Sequence, residues 1–129
     1  MAVYSTLTAV DLGSNSFHLQ VGRVVGDQTY PRDSLREPTR IGAGLTRDKR
    51  LDEESQQRAL ECLKRFGERL RGLDPHTVRA VGTNTLRVAK NAASFLKQAE
   101  AALGFPIEVV AGREEARLIY LGVSHSLPV

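Results

Sequence analysis

One stretch near the start of the sequence decides the fold: Ala9-Val10-Asp11-Leu12-Gly13-Ser14-Asn15-Ser16-Phe17-His18. A short apolar run ends at Asp11, and a glycine followed by three small hydroxyl or amide residues comes next. From Phe17 onward, apolar and polar residues alternate as far as Gly22. This pattern predicts a strand, a tight turn and a second strand that pairs with the first.

The predicted turn contains residue types that suit an anion site. Its backbone N–H groups and two hydroxyls can point into one space, and converging donors of this kind most often bind phosphate. Asp11, just before the turn, is placed to hold a metal ion or to orient a water. An ordinary hairpin turn favours the same residue types, so this stretch alone leaves both interpretations open.

Length and composition indicate one globular domain that spans residues 1–129. Charged residues make up 26% and hydrophobic residues 41% of the chain, values typical of soluble proteins. No apolar run approaches the roughly 20 residues needed to span a membrane, and the N-terminus lacks a secretory pattern. The single cysteine, Cys62, cannot form an internal disulfide, which favours a reducing cytoplasm.

The net charge of the chain is +3, and the basic residues are unevenly distributed, with a concentration between residues 32 and 50. A phosphate-rich substrate or a nucleic acid would both suit this segment, but a solvated loop and strand face is the simpler explanation. Recognition of single-stranded nucleic acid needs aromatic side chains among the basic ones. With 5% aromatic residues and no tryptophan, the sequence argues against a specific nucleic-acid partner.

Hydrophobic periodicity predicts three meandering strands followed by alternating helices and strands. The strands are expected at residues 6–11, 17–24, 28–36, 77–81 and 107–110, and the helices at 52–71, 84–89, 91–104 and from 112. Asp52 and Asn91 are the expected N-caps of the two longer helices. This order predicts a mixed sheet with parallel additions, covered by helices.

Small polar residues follow three of the predicted strands. Gly13 lies just past the first strand, Gly82 and Thr83 end the fourth, and Gly112 follows the fifth. Ligands of such sheets bind at the carboxyl ends of the strands. We therefore expect three loops to meet at one edge of the sheet, which strengthens the prediction of an anion site.

Three stretches in this order identify a family resemblance. They are residues 9–18, the segment Val81-Gly82-Thr83-Asn84-Thr85-Leu86-Arg87, and the segment Ile107-Glu108-Val109-Val110-Ala111-Gly112-Arg113-Glu114-Glu115-Ala116-Arg117-Leu118-Ile119-Tyr120. From about residue 9 to residue 123, the chain resembles the exopolyphosphatase and guanosine pentaphosphate phosphatase family. The resemblance implies an α/β domain of the actin-like, ribonuclease-H-like fold, with a five-stranded mixed sheet and helices on both faces.

The resemblance also implies a role for individual residues. Asp11 would hold Mg²⁺, and Glu115 would activate the attacking water. The residues implied to bind the phosphate of the substrate are Gly13, Ser14, Asn15, Ser16, Thr83 and Arg87. On the residues alone, Arg87 is better explained as a solvated helix arginine, and Glu115 serves equally as an ordinary glutamate at a helix start. His18 is interpreted as a structural residue.

The catalytic core of this family consists of two domains with a cleft between them. The second domain opens with another phosphate loop, Asp-x-Gly-Gly-Gly-Ser, which this sequence does not reach before Val129. The resemblance therefore implies the N-terminal domain of a phosphatase, with a second metal ligand in the other domain. The expected substrates are polyphosphate or guanosine pentaphosphate. The alternative is a catalytically incomplete module that binds polyphosphate or nucleotide. Apolar surface that a second domain would cover could instead pair two copies into a homodimer.

Overall fold

The computed structural model describes residues 6–26 and 28–110, and within them it has the element order predicted from the sequence. The elements are β1 (Thr6–Leu12), β2 (Phe17–Val25), β3 (Gln28–Glu37), α1 (Glu53–Leu70), β4 (Val78–Gly82), α2 (Asn84–Val88), α3 (Ala92–Leu103) and β5 (Glu108–Val109). A single 3₁₀ turn at Pro75–Thr77 precedes β4. The helix predicted from residue 112 lies outside the described residues.

The strands form one five-stranded mixed sheet in the order β3-β2-β1-β4-β5. The first three strands pair antiparallel as a meander, whereas β4 joins β1 in parallel and β5 joins β4 in parallel. This is the ribonuclease-H-like arrangement that the resemblance implied. Leu12 at the end of β1 pairs with Gly82 at the end of β4, so the loops that follow these two strands leave the sheet side by side.

One face of the sheet packs against α1 and α3. Side chains alternate along a strand, and alternate residues at the end of β1 and the start of β2 enter this core. Gly67 brings the two helices close together, because a Cβ atom there would lie 2.7 Å from the Ala102 carbonyl oxygen. Buried core residues include Val10, Leu12, Phe17, Leu19, Ala59, Cys62, Leu63, Phe66, Phe95 and Ala99. Helices on both faces stay a prediction, because the helix expected from residue 112 lies outside the described part of the chain.

Helix α1 begins and ends where local chemistry predicts. Asp52 is the N-cap, and its Oδ1 accepts a hydrogen bond from the Ser55 N–H at 2.7 Å. Glu53 and Glu54 in the first turn complement the positive end of the helix dipole. The helix ends at Leu70, and Gly72 adopts the left-handed φ of +87° that commonly follows a helix.

Asn91 is the N-cap residue of α3, as predicted, but its side chain makes no capping hydrogen bond to the helix. Instead, Oδ1 accepts from the Leu51 N–H at 2.8 Å, and Nδ2 donates to the Leu51 carbonyl at 3.1 Å. Asn91 therefore anchors a segment 40 residues away in the sequence, a partner that local pattern cannot reveal.

The strand boundaries differ from prediction by single residues, and the differences at β4 and β5 have a structural cause. Residue 77 does not belong to β4, because the Thr77 hydroxyl donates to the Asp74 carbonyl at 2.6 Å and stabilises the 3₁₀ turn instead. The last strand is shorter than residues 107–110, because it pairs only with the final two residues of β4. None of the helices within the described ranges is long and apolar enough to cross a membrane.

Candidate functional site

The loops after β1 and β4 are joined by a hydrogen bond between two hydroxyls. Ser14 Oγ and Thr85 Oγ1 lie 2.7 Å apart, although the residues are 71 positions apart in the sequence. Both side chains are at least partly buried. The predicted phosphate loop at residues 13–16 and the motif at 81–87 therefore meet at one edge of the sheet, as expected for two of the three loops. The loop at Gly112 lies outside the described residues.

The phosphate loop at residues 13–16 is closed by its own backbone. The Gly13 N–H donates to the Ser16 carbonyl at 3.2 Å. A Cβ atom at position 13 would lie 3.0 Å from the same carbonyl oxygen, so the turn favours glycine. This corrects one detail of the expectation: the Gly13 amide is used inside the loop, and the amides of Ser14, Asn15 and Ser16 are the candidate phosphate donors.

A second loop, residues 38–44, donates backbone hydrogen bonds to the phosphate loop. The Arg40 N–H donates to the Asn15 carbonyl at 3.0 Å, and the Gly42 N–H donates to the Ser14 carbonyl at 2.9 Å. A Cβ atom at Gly42 would lie 3.0 Å from Ser14 Cβ and 3.3 Å from Thr85 Oγ1. The close approach of three chain segments at this point therefore depends on a residue without a side chain.

Thr83 lies at the start of the short helix α2, and Arg87 lies within the helix. Thr83 is the N-cap residue, and its carbonyl accepts from the backbone N–H groups of Leu86 and Arg87 at 2.9 and 3.2 Å. Its side chain makes no capping hydrogen bond. Arg87 is exposed in the last turn. Both residues thus belong to the element that Thr85 ties to the phosphate loop.

Asp11 lies in a polar row that crosses three strands. It pairs with His18 of β2, and His18 pairs with Arg36 of β3. Directly paired residues share one face of a sheet, and this is the face opposite to Val10 and Leu12. The Oδ1 atom of Asp11 is buried. The strand end therefore presents a carboxylate beside the phosphate loop.

The environment of His18 disfavours its charged form. Partial burial is the main cause that lowers the pKa of His18 below 6.5, and the Arg36 charge acts in the same direction. The Asp11 carboxylate opposes both effects without cancelling them. His18 is thus favoured as a neutral imidazole between an acid and a base on neighbouring strands.

The carboxylate of Asp11 suits Mg²⁺ in chemical type. This ion is usually held by one or two carboxylates together with waters and substrate phosphates. Among the residues that the structure describes, no group of three or more His, Cys, Asp or Glu side chains forms a complete metal cage. A metal at Asp11 therefore requires oxygens from elsewhere, such as those of a phosphate ligand. Glu115, the predicted base, lies outside the described residues.

A cleft of about 410 Å³ lies where residues 38–44 meet the start of α1. It is lined in part by Arg40, Asp52, Ser55 and Arg58. The Arg58 guanidinium is held in place, because Nε donates to the Thr39 carbonyl at 3.1 Å and Nη2 donates to Ser55 Oγ at 3.0 Å. None of the residues predicted for phosphate binding lines this cleft, so it lies beside the site.

Sequence reasoning missed Thr85 and the supporting residues Arg40 and Gly42. A signal for Thr85 was present, because Gly-Thr-Asn-Thr at residues 82–85 repeats the pattern Gly-Ser-Asn-Ser at 13–16. Both tetrapeptides come at or just after the end of a strand, and those strands are parallel neighbours. The repeat could have predicted that hydroxyls from both loops meet. No comparable local signal marks Arg40 or Gly42.

Comparison with known proteins gives consistent matches. A family model described as the Ppx/GppA phosphatase family matches residues 23–129. A solved exopolyphosphatase from Cytophaga hutchinsonii is 30% identical over 92% of this chain, with a TM-score of 0.76. A type II variant of the Ppx/GppA phosphatase from Aquifex aeolicus is 26% identical over 96% of this chain, with a TM-score of 0.80. An exopolyphosphatase-like protein is 29% identical over 88% of this chain, with a TM-score of 0.78.

The matched proteins are much longer than this chain. The alignment covers 38% of the Cytophaga hutchinsonii protein, 41% of the Aquifex aeolicus protein and 35% of the exopolyphosphatase-like protein. The chain therefore corresponds to somewhat more than a third of each of these structures.

Proposed function

Because the chain belongs to the Ppx/GppA phosphatase family, we propose that it forms one half of a phosphoanhydride hydrolase site. The substrate is inorganic polyphosphate or guanosine pentaphosphate, from which the terminal phosphate is removed by water. The observation that carries this proposal is the hydrogen bond between Ser14 and Thr85, because it holds two polar loops together at the ends of parallel strands.

The phosphate loop supplies the donors in this proposal. The amides of Ser14, Asn15 and Ser16, together with the serine hydroxyls, bind the oxygens of the terminal phosphate. The supporting hydrogen bonds from Arg40 and Gly42 hold the loop in position before the ligand arrives. Such preorganisation matters, because catalysis of phosphoryl transfer relies mainly on positioning and on charge stabilisation.

Arg87 contributes positive charge at the same edge. Its planar guanidinium can donate two parallel hydrogen bonds to phosphate oxygens, which a lysine cannot do in this geometry. Arg87 lies on α2, the element that Thr85 ties to the phosphate loop. In this proposal Thr83 also contacts the phosphate, and Arg87 neutralises charge that develops as the phosphate is transferred.

Asp11 and Glu115 complete the proposed chemistry. Mg²⁺, when bound, neutralises the negative charge of the phosphate oxygens. Asp11 would be its protein ligand on this domain, with a second ligand contributed by the other half of the site. Glu115 would accept the proton of the attacking water. These two roles rest on the family resemblance at residues 9–18 and 111–117.

A second candidate function is binding without hydrolysis. It is favoured by one observation, namely that no group of three or more His, Cys, Asp or Glu side chains among the described residues could hold a metal ion. A domain with the phosphate loop and Arg87 would still bind a terminal phosphate, even where the residues needed to cleave it are contributed by another domain.

Phosphate release with Mg²⁺ distinguishes the two candidates. The chain and its Glu115→Gln variant are compared on polyphosphate and on guanosine pentaphosphate. Release that the variant abolishes supports hydrolysis by this chain. No release, with orthophosphate still shifting the amide resonances of Ser14 and Asn15, supports the binding module. Absence of both release and shifts contradicts both functions.

Location and assembly are further parts of this proposal. A cytoplasmic location is proposed because the single thiol, Cys62, is buried in the core and has no cysteine partner for a disulfide. Pairing of two copies is proposed through exposed apolar side chains, among them Val25 and Tyr30. Light scattering at several protein concentrations tests the pairing: a mass of one chain throughout contradicts it.

A further inference from the structure

A tight turn at residues 46–50 displays several basic side chains on a fixed backbone. Leu45 and Leu51 form a β-bridge at its base. Inside the turn, the Thr46 N–H donates to the Arg50 carbonyl at 2.8 Å, and the Lys49 N–H donates to the Thr46 carbonyl at 2.9 Å. The Arg50 N–H also donates to Thr46 Oγ1 at 3.1 Å. These bonds fix the backbone conformation of the turn.

The turn is also tied to the segment that follows α2. The Lys90 N–H donates to the Lys49 carbonyl at 2.7 Å, and the Asn91 side chain bonds both backbone groups of Leu51. Lys49 has a φ of +62°, in the left-handed region, which is unfavourable for a residue with a side chain. The surrounding bonds maintain this conformation, and strained residues held in this way are often functional.

Four exposed basic residues share this place in the fold, and we call them the basic surface: Arg47, Lys49, Arg50 and Lys90. The turn contains one acidic residue, Asp48, which accepts a hydrogen bond from Thr46 Oγ1 and lies 3.4 Å from Arg50 Nε. A charge of +3 therefore remains on the basic surface and Asp48 together. Several exposed cations at fixed positions bind a polyanion well, because each contact releases condensed counterions.

The basic surface lies near the phosphate loop. Helix α2 contacts that loop through Thr85, and Lys90 follows the end of the same helix by two residues. Five helical residues span about 7.5 Å. Arg87, which the proposed function places at the terminal phosphate, lies between Thr85 and Lys90 in the sequence.

We propose that the basic surface is a subsite for the phosphates of a linear polyphosphate chain that lie beyond the terminal one. This inference rests on the proposed function, which places the terminal phosphate at residues 13–16. A linear phosphate polymer fits better than single-stranded nucleic acid, because the turn and Lys90 carry no aromatic side chain on which a base could stack.

The test compares two double variants that lose the same charge. Arg47→Gln/Lys90→Gln removes half of the basic surface and leaves Lys49 and the Arg50–Asp48 pair intact. Lys64→Gln/Lys97→Gln, at exposed positions on α1 and α3, is the control. Titration calorimetry at several salt concentrations gives the affinity for long-chain polyphosphate, and amide shifts of Ser14 and Asn15 report on orthophosphate.

The basic-surface variant is expected to bind long-chain polyphosphate about tenfold more weakly, with a salt dependence reduced by about 1.4 log units per log unit of salt. The control is expected to retain both values, and orthophosphate is expected to shift the loop amides in all three proteins. Equal polyphosphate affinity in both variants overturns the subsite. A basic-surface variant that loses single-stranded DNA binding while polyphosphate affinity is unchanged also overturns it. Absence of orthophosphate shifts in the unmodified chain contradicts the proposed function instead.

Discussion

Ser14 and Thr85 lie in loops that follow two different strands, and their hydroxyl oxygens are 2.7 Å apart. Each loop leaves the sheet at the carboxyl end of a parallel neighbour, because Leu12 of β1 is paired with Gly82 of β4. The contact therefore follows from sheet topology rather than from local sequence. It makes the phosphate loop and α2 one unit, so a change in either loop is expected to alter the other.

Replacing Thr85 with valine tests this coupling. Thr85→Val keeps the shape of a buried side chain but removes the hydroxyl that bonds Ser14. We expect about 1 kcal/mol lower unfolding free energy and weaker orthophosphate binding, because the loop is less well held. Thr77→Val is the matched control. The Thr77 hydroxyl donates to the Asp74 carbonyl before β4 begins, at the end of that strand opposite to the phosphate loop. Equal orthophosphate affinity in both variants would contradict the coupling.

Gly42 provides a steric test of the same arrangement. In Gly42→Ala, the new methyl group would lie 3.0 Å from Ser14 Cβ and 3.3 Å from Thr85 Oγ1. We expect an unfolding free energy lower by roughly 1–3 kcal/mol, together with a loss of phosphate affinity. Ala43→Ser, at the exposed neighbouring position, should change neither. Denaturant unfolding and phosphate titration measure the two effects, and an unchanged Gly42→Ala protein would show that the three segments are not tightly packed.

Leu63 tests the packing of α1 on the sheet. Its side chain is fully buried in the core, so Leu63→Ala is expected to lower the unfolding free energy by roughly 2–5 kcal/mol. Gln57→Ala, on the exposed side of the same helix, is expected to cost little. Urea unfolding of both variants measures the difference. A Leu63→Ala cost as small as that of Gln57→Ala would place α1 with a different face toward the sheet.

His18 predicts a pH-dependent component of stability. Burial, aided by Arg36, lowers the pKa of His18 below 6.5, whereas the unfolded chain takes up a proton near 6.5. The unfolded state thus binds more protons as the pH falls, and this component of stability, present in full above pH 6.5, is lost as the pH falls through the folded-state pKa. The difference in unfolding free energy between about pH 7.5 and pH 5.5 should be smaller in His18→Gln. An equal difference in both proteins would exclude this role for His18.

Local sequence patterns predicted most of the described fold. Strong alternation defined β2, and Asp52 with Gly72 marked the two ends of α1, because each signal concerns neighbouring residues. The chemistry of Asn91 was not predictable in the same way. An asparagine before a helix is a common cap, and only the folded chain brings Leu51 to its side chain.

In the candidate site, too, the sequence predicted the local features but not the long-range contacts. The loop at residues 13–16 was predicted as a phosphate site from a tetrapeptide, because the candidate donors are consecutive in the chain, and phosphate binding there stays a prediction. Thr85, Arg40 and Gly42 act through contacts with residues far away in the sequence, so they depend on strand order and on loop packing. The role of Glu115 stays a prediction, since this residue lies outside the described part of the chain.

An orthophosphate titration followed by amide resonances tests the central claim most directly. The claim is that residues 13–16 bind a phosphate, with Arg87 contributing positive charge. We predict that the amides of Ser14, Asn15 and Ser16 shift in a saturable manner, and that Arg87→Gln weakens the binding. Shifts confined to other regions of the chain, or Arg87→Gln binding as tightly as the unmodified protein, would contradict the account.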